Sequence, residues 1–182
     1  MDIKRTVLSS RLVVVDFDGT LVNTLQVDWE RLKQRLRDEL YEGAFFDGLD
    51  RDLRKLRKFD EGAFRFLCGI IAEEEERGYN GANEGLLSLL KQRKKPTAVF
   101  SSNTHTAIER ILSRDEFSGF KPFIVGKEDV KRGKPDPEGF TVISRFFKLK
   151  CSVFIGDSEA DFKAGKKGGV KTVSWENMKK EL

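Results

Sequence analysis

The stretch Leu12-Val13-Val14-Val15-Asp16-Phe17-Asp18-Gly19-Thr20 decides how the rest of the chain reads. An apolar, largely β-branched run that stops on an acid has the form of a short strand buried on both faces, as in a parallel sheet. In extended chain, residues two apart point the same way, so Asp16 and Asp18 face one site while Phe17 turns back into the core. Two convergent carboxylates in a cleft are costly unless a cation neutralises them. The plainer alternative is an exposed Asp-Gly turn. A Ca²⁺ loop fits poorly, because its glycine belongs at about the sixth position rather than the fourth.

The same strand-then-acid pattern recurs in Val153-Phe154-Ile155-Gly156-Asp157-Ser158-Glu159-Ala160-Asp161, which sets Asp157 at a strand tip and Asp161 on the following helix. Acids at a helix start also serve as caps, so this motif alone leaves both readings open. Asp16, Asp18 and Asp157 together offer hard oxygen ligands that suit Mg²⁺, which keeps several waters and completes its shell with a phosphate. Ser101, Ser102 and Asn103 follow an apolar run at 97–100, placing a hydroxyl and helix N-terminal amides where a phosphate could sit. An ordinary N-cap is the alternative there. Gly133-Lys134-Pro135-Asp136-Pro137 sets a lysine in a rigid turn before a helix; by itself it is only a turn.

Between these motifs the pattern alternates. Strands are expected at 97–100, 123–125, 152–155 and 171–173, and helices at 83–93, 106–114, 137–147 and 160–167, which together imply a doubly wound parallel sheet. The stretch after the first strand departs from this. Trp29, Leu32, Leu36 and Leu40 recur at helical spacing over 27–41, then Leu49, Leu53 and Leu56, then Phe64, Leu67 and Ile71. This region reads as an all-helical insertion over the carboxyl edge of the sheet. Phe45, Phe46, Phe64 and Phe66 are expected to form its core.

Composition narrows the chemistry. The 182 residues, 38% of them hydrophobic, suffice for one core with a small appended module. No run approaches the roughly 18 apolar residues of a membrane span, and the N-terminal region lacks the apolar segment and cleavage site of a signal peptide. The reading is a cytoplasmic protein. Cys68 and Cys151 cannot build a thiolate zinc site or a disulfide framework and are expected as buried small hydrophobes. The single histidine, His105, forbids a multi-histidine metal site. Catalysis therefore rests on carboxylates, hydroxyls and lysines. The formal charge of +4 permits anionic partners, yet with 35% charged residues of both signs it describes a solvated surface. The basic run at 91–95 is expected to complement carbonyls at a helix end rather than bind nucleic acid.

The combination resembles the haloacid dehalogenase superfamily, in its phosphatase branch. All four motifs appear in order: Asp16-Phe17-Asp18-Gly19-Thr20, Ser101 after a strand, Lys134 in Gly-Lys-Pro-Asp-Pro, and Gly156-Asp157-Ser158-x-x-Asp161. The resemblance runs from Leu12 to Val173 and implies a core of residues 1–21 and 86–182 with a helical cap at 22–85. If Asp16, Ser101 and Asp157 are to meet, strands two and four must flank strand one, giving a five-stranded sheet of order 3-2-1-4-5 with the site at the topological switch point.

The resemblance also implies roles. Asp16 would be the nucleophile and Asp18 the acid and base. Mg²⁺ would be held by Asp16, the Asp18 carbonyl and Asp157; Ser101, Ser102 and Lys134 would hold the phosphoryl group, and Asp161 would orient Lys134 or a metal-bound water. Dehalogenases lack the second aspartate, so Asp18 favours a phosphomonoesterase acting on a small phosphorylated metabolite, without nucleic acid or membrane as partner and with the oligomeric state open. A phosphoglucomutase-type transferase shares every core motif and differs only in the cap. A non-catalytic anion or nucleic-acid binding module is the alternative from another class, with salt-dependent association as its mark. In the cap, Arg51, Arg54, Lys55, Arg57 and Lys58 could meet the distal anion of a substrate such as phosphoglycolate, although a solvated face is the plainer reading. Hinges are expected at 22–24 and 78–82.

Overall fold

The computed structural model describes residues 2–39 and 48–182. At its centre β1 (Val13–Val15) pairs in parallel with β2 (Thr97–Phe100) on one side and β4 (Val153–Gly156) on the other. β3 (Phe123–Val125) and β5 (Lys171–Ser174) lie outside them, giving the order β3-β2-β1-β4-β5. This is the order expected from the motifs. All three residues of β1 are fully buried, and their alternation assigns the two faces. Val13 and Val15 point into one apolar cluster and Val14 into the other.

Helices cover both faces. On the Val13 side, α5 (Glu84–Gln92) contributes Leu86 and Leu90, and α6 (His105–Leu112) contributes Ile108 and Ile111. α7 (Glu138–Ser144), with Phe140 and Ile143, and α8 (Glu159–Gly168), with Ala164, cover the other side. Phe100, Phe140 and Phe154 pack there in edge-on and stacked contacts with ring centroids 5.2–6.2 Å apart. Two terminal helices add to the first face: α1 (Ile3–Ser9), which buries Val7, and α9 (Trp175–Met178), which buries both Trp175 and Met178. Both are short, with too few apolar positions to show a period in sequence.

Among the described residues three α-helices lie between β1 and α5: α2 (Trp29–Glu39), α3 (Leu49–Phe59) and α4 (Glu61–Arg77). Leu32, Leu36, Leu53, Phe64, Leu67, Cys68, Ile70 and Ile71 form an apolar cluster of their own. Asp60 caps α4 by accepting from the Ala63 amide at 2.8 Å. Glu74, 1% exposed, takes Arg35 at 2.7 Å, Arg31 at 3.2 Å and Arg77 at 3.3 Å, tying α2 to α4. The two chain segments that join these helices to the sheet run side by side. Val22 bridges Ala82, the Asn23 amide donates to Gly81 O and the Gln26 amide to Gly78 O.

Several expectations are corrected. Phe66 is 55% exposed, because the inward stripe of α4 runs through residues 64, 67, 68 and 71 and leaves residue 66 on the outer side. Trp29, 54% exposed, opens α2 at the mouth of a cleft instead of packing inward with Leu32. Cys151 is exposed, in a left-handed turn before β4, while Cys68 is buried. The basic run at 91–95 serves a neighbouring helix end rather than its own: Arg93 donates to Val7 O and Ser10 O, and Lys95 to Leu8 O, at the carboxyl end of α1. Leu40, Phe45 and Phe46 lie outside the described residues. No helix among the described residues is long and apolar enough to cross a membrane.

Candidate active site

The strand order brings the four motif segments to one edge. Asp16, Asp18, Ser101, Ser102, Lys134 and Asp157 all line a single cleft of about 570 Å³, which α2, α3 and α4 roof with Trp29, Arg51 and Glu75. Asp16 is 5% exposed at the end of β1, held by its own amide, which donates to Ile155 O at 2.8 Å. The chain then turns sharply. Gly19 has φ +75°, and a Cβ there would stand 2.5 Å from Asp157 Oδ2, so the turn requires glycine both for its backbone and for the approach of the second acid. Asp18 turns toward the chain that follows, where its Oδ1 accepts from the Leu25 amide at 2.7 Å.

Lys134 is the electrostatic centre. Its Nζ lies 2.6 Å from Asp16 Oδ1 and 2.6 Å from Asp161 Oδ1, with the lysine side chain only 4% exposed. Burial opposes its charge, but the two carboxylates outweigh burial and hold the ammonium above its usual range. Burial likewise lifts the Asp16 carboxyl to about 7, against the pull of Lys134 and with a further push from Asp161. Asp18 is also raised, by burial first.

Oxygens of Asp16, Asp157 and Asp161 lie within 4.8 Å of one another, the spacing of a metal-holding group. Asp161 is already committed. Its Oδ1 receives Lys134, and its Oδ2 receives the Ser158 amide at 3.0 Å and the Ser158 hydroxyl at 2.6 Å in a capping box. Asp16 and Asp157 therefore remain as the pair with oxygen to spare for a cation, and hard carboxylate oxygens at a phosphate cleft suit Mg²⁺. The Asp18 side chain, turned to Leu25, is not part of that cluster.

The segment after β2 is fixed from several sides. Ser101, 2% exposed, donates to Asn103 Oδ1 at 2.7 Å and accepts from the Asn103 amide at 3.1 Å. Ser102 is exposed at the cleft. Asn103 O receives the Lys127 amide at 2.8 Å, an approach open only because Gly126 has no Cβ; one there would meet His105 N at 2.5 Å. Thr104 caps α6, and the His105 ring faces Asp129 at 2.6 Å rather than the carboxylates of the cleft.

Contacts made by three residues of the inserted helices, Glu75, Asp50 and Arg57, were not read from sequence. Glu75 accepts from the Asn103 side chain at 3.1 Å and from both the amide and hydroxyl of Thr104 at 2.9 and 2.6 Å. Asp50 meets Lys127 at 2.5 Å. Arg57 donates to Val130 O at 2.6 Å and Glu128 O at 2.8 Å, so this member of the basic cluster grips backbone carbonyls. Glu75 was hidden in the acidic run 73–76, although Phe64, Cys68 and Ile71 lead at helical spacing to position 75 on the buried face.

The family model described as haloacid dehalogenase-like hydrolase matches residues 10–169. Over 125 residues the chain is 31% identical to the chloroplastic 5-amino-6-(5-phospho-D-ribitylamino)uracil phosphatase of Arabidopsis thaliana, covering 67% of this chain and 32% of that protein. It is 29% identical to the bifunctional riboflavin kinase/FMN phosphatase of the same plant, covering 94% of this chain and 50% of the relative. The chain thus spans half or less of the length of these two relatives. In fold it is similar to a haloacid dehalogenase-like hydrolase from Bacteroides fragilis, with TM-score 0.62 and 22% identity over 90% of this chain and 86% of the other.

Proposed function

Because the chain belongs to the haloacid dehalogenase-like hydrolases, we propose that it is a Mg²⁺-dependent phosphatase that hydrolyses a small phosphate monoester through an aspartyl-phosphate on Asp16. The observation that carries this reading is the shared lysine: Lys134 sits 2.6 Å from a buried carboxylate at the tip of β1, with Asp18 two residues on and Ser101 lining the same cleft. A protein that only bound phosphate would gain nothing from two carboxylates placed beside it.

In this reading Asp16 Oδ2, the oxygen not engaged by Lys134, attacks phosphorus, and the bond from phosphorus to the ester oxygen breaks. Asp18 donates its proton to the departing alkoxide and then takes one from water as that water attacks the aspartyl-phosphate, releasing inorganic phosphate and restoring Asp16. A raised carboxyl at Asp18 serves the first of these steps, which needs a protonated acid. Lys134, oriented by Asp161, and Ser101 with Ser102 receive phosphoryl oxygens. Mg²⁺ on Asp16, Asp157 and the Asp18 carbonyl would offset the negative charge shared by carboxylate and phosphate.

The cleft volume of about 570 Å³ suits a small ester. Arg51 lines it beside Lys127, which is paired with Asp50, and phosphoglycolate, whose leaving alcohol carries a carboxylate, is the first ester to try. Residues 22–85 would form the cap over a core of 1–21 and 86–182, moving on the paired segments around Val22 and Ala82. The deciding experiment compares hydrolysis of para-nitrophenyl phosphate and a panel of esters with Mg²⁺ or EDTA, for wild type and Asp16→Asn. Release of phosphate that needs Mg²⁺ and vanishes in the variant is expected; turnover that survives in Asp16→Asn would overturn the reading.

A further inference from the structure

We propose that Glu75 is a positioning residue: acting through Asn103, it holds the Ser101 hydroxyl proton away from the phosphate seat, so that inorganic phosphate binds there loosely. The inference rests on the reading of Ser101 as part of that seat. Hydrolysis as derived above gives Glu75 no task, yet this carboxylate is 4% exposed and lines the cleft from α4.

The argument is one of donors and acceptors. Burial raises the Glu75 carboxyl, while the donors of Thr104 and Asn103 that face it and the nearby Lys127 favour its ionised form, which only accepts. Glu75 Oε2 is taken by the Thr104 amide at 2.9 Å and the Thr104 hydroxyl at 2.6 Å, and Oε1 receives Asn103 Nδ2 at 3.1 Å. Only the nitrogen of a side-chain amide can donate, so Glu75 decides which way round Asn103 sits. The amide oxygen then faces Ser101 and takes its hydroxyl proton at 2.7 Å, while Ser101 Oγ accepts the Asn103 amide at 3.1 Å. A hydroxyl has one proton to give. A phosphoryl oxygen entering the cleft must draw it from Asn103 Oδ1, leaving a buried acceptor unpaired, or bind without it. The negative charge of Glu75 acts in the same direction on an incoming anion.

Two substitutions release the hydroxyl differently. In Glu75→Gln the new amide opposes donor to donor, which turning Asn103 over relieves; Asn103 Nδ2 then donates to Ser101 Oγ and the hydroxyl proton is free for the cleft. In Asn103→Ala the competing acceptor is gone while the charge at Glu75 stays. The test is calorimetric titration of inorganic phosphate into wild type and both variants, each also in a Ser101→Ala background. Both variants are expected to bind phosphate about tenfold more tightly than wild type; once Ser101 is alanine the Asn103→Ala gain should shrink to about twofold or less, while Glu75→Gln keeps only the part due to its lost charge. Asn103→Ala keeps the question answerable if Glu75→Gln does not fold. Unchanged or weaker binding in Asn103→Ala, or an Asn103→Ala gain that survives Ser101→Ala, overturns the proposal. Wild type that binds no phosphate removes both the proposal and the seat on which it rests, whereas wild-type binding with a flat response in the variants removes the proposal alone.

Discussion

Lys134 is shared between Asp16 and Asp161, with Nζ 2.6 Å from an oxygen of each and all three side chains almost fully buried. Two buried carboxylates are tolerable beside one another because a single ammonium lies between them.

Removing that ammonium is therefore expected to be expensive. Lys134→Met, which keeps the length of the side chain, should cost about 3–5 kcal/mol at neutral pH. The cost should shrink on acidification. Asp16 already titrates at about 7 in the folded protein against 3.8 ordinarily, and losing Lys134 raises it further. A folded-state carboxyl that is raised binds protons more tightly than the unfolded one, so stability falls as pH rises from about 4 through the folded value. Urea denaturation from pH 5 to pH 8 without metal should show the variant losing more stability across that range than wild type.

Gly19 separates the two halves of the acidic cluster. Gly19→Ala places a Cβ 2.5 Å from Asp157 Oδ2 on a backbone with φ +75°. The expected result is a loss of about 1–2 kcal/mol in stability and a disproportionate weakening of Mg²⁺ binding, read by calorimetry. Unaltered Mg²⁺ affinity would mean that Asp157 does not hold the ion.

The inserted helices carry their own apolar cluster, and Leu32 lies fully buried within it. Leu32→Ala should cost about 2–5 kcal/mol of local stability. If residues 22–85 are a separable cap, hydrogen exchange should accelerate in α2, α3 and α4 while β1, β2 and β4 keep their protection. Equal acceleration in the sheet would count against a separate cap.

His105 provides a pH signature away from the acidic cluster. Its hydrogen bond to Asp129 raises it above 6.5, burial opposes, and Glu128 and Glu109 add to the rise. A histidine raised in the folded state stabilises fully below its unfolded value and loses that contribution as pH climbs through the folded one. Wild type should lose thermal stability relative to His105→Gln as pH rises from about 6.5 upward. The effect should be modest and should weaken with salt, since a third of the side chain is exposed.

How much of this was legible in the chain depends on the range over which each feature is decided. Val13, Val14 and Val15 announce a strand buried on both faces because the requirement is local: β-branched residues, no polar break, then an acid. The order of the strands also followed, since Asp16, Ser101 and Asp157 can share a cleft only if β2 and β4 flank β1. Trp29 and Phe66 misled for a physical reason: periodicity says which residues share a helix face, not which faces another element covers. α1 and α9 escaped notice because helices of 7 and 4 residues are held by packing rather than by their own pattern.

By itself, then, the sequence determined the sheet, its order, the helical insertion and the motif residues Asp16, Asp18, Ser101, Lys134 and Asp157 that meet at one cleft, because strand runs, turn chemistry and motif spacing are written within a few residues of each other. Only the tertiary structure decided how those residues are tied together. Lys134 is committed to both Asp16 and Asp161, Arg57 to two backbone carbonyls, and Glu75 to the loop that presents Ser101. Each is a polar group taken out of water, and a buried polar group must find a partner wherever the fold places one, here across 27 to 118 positions of chain. Such pairings follow from where elements pack, which no local pattern records.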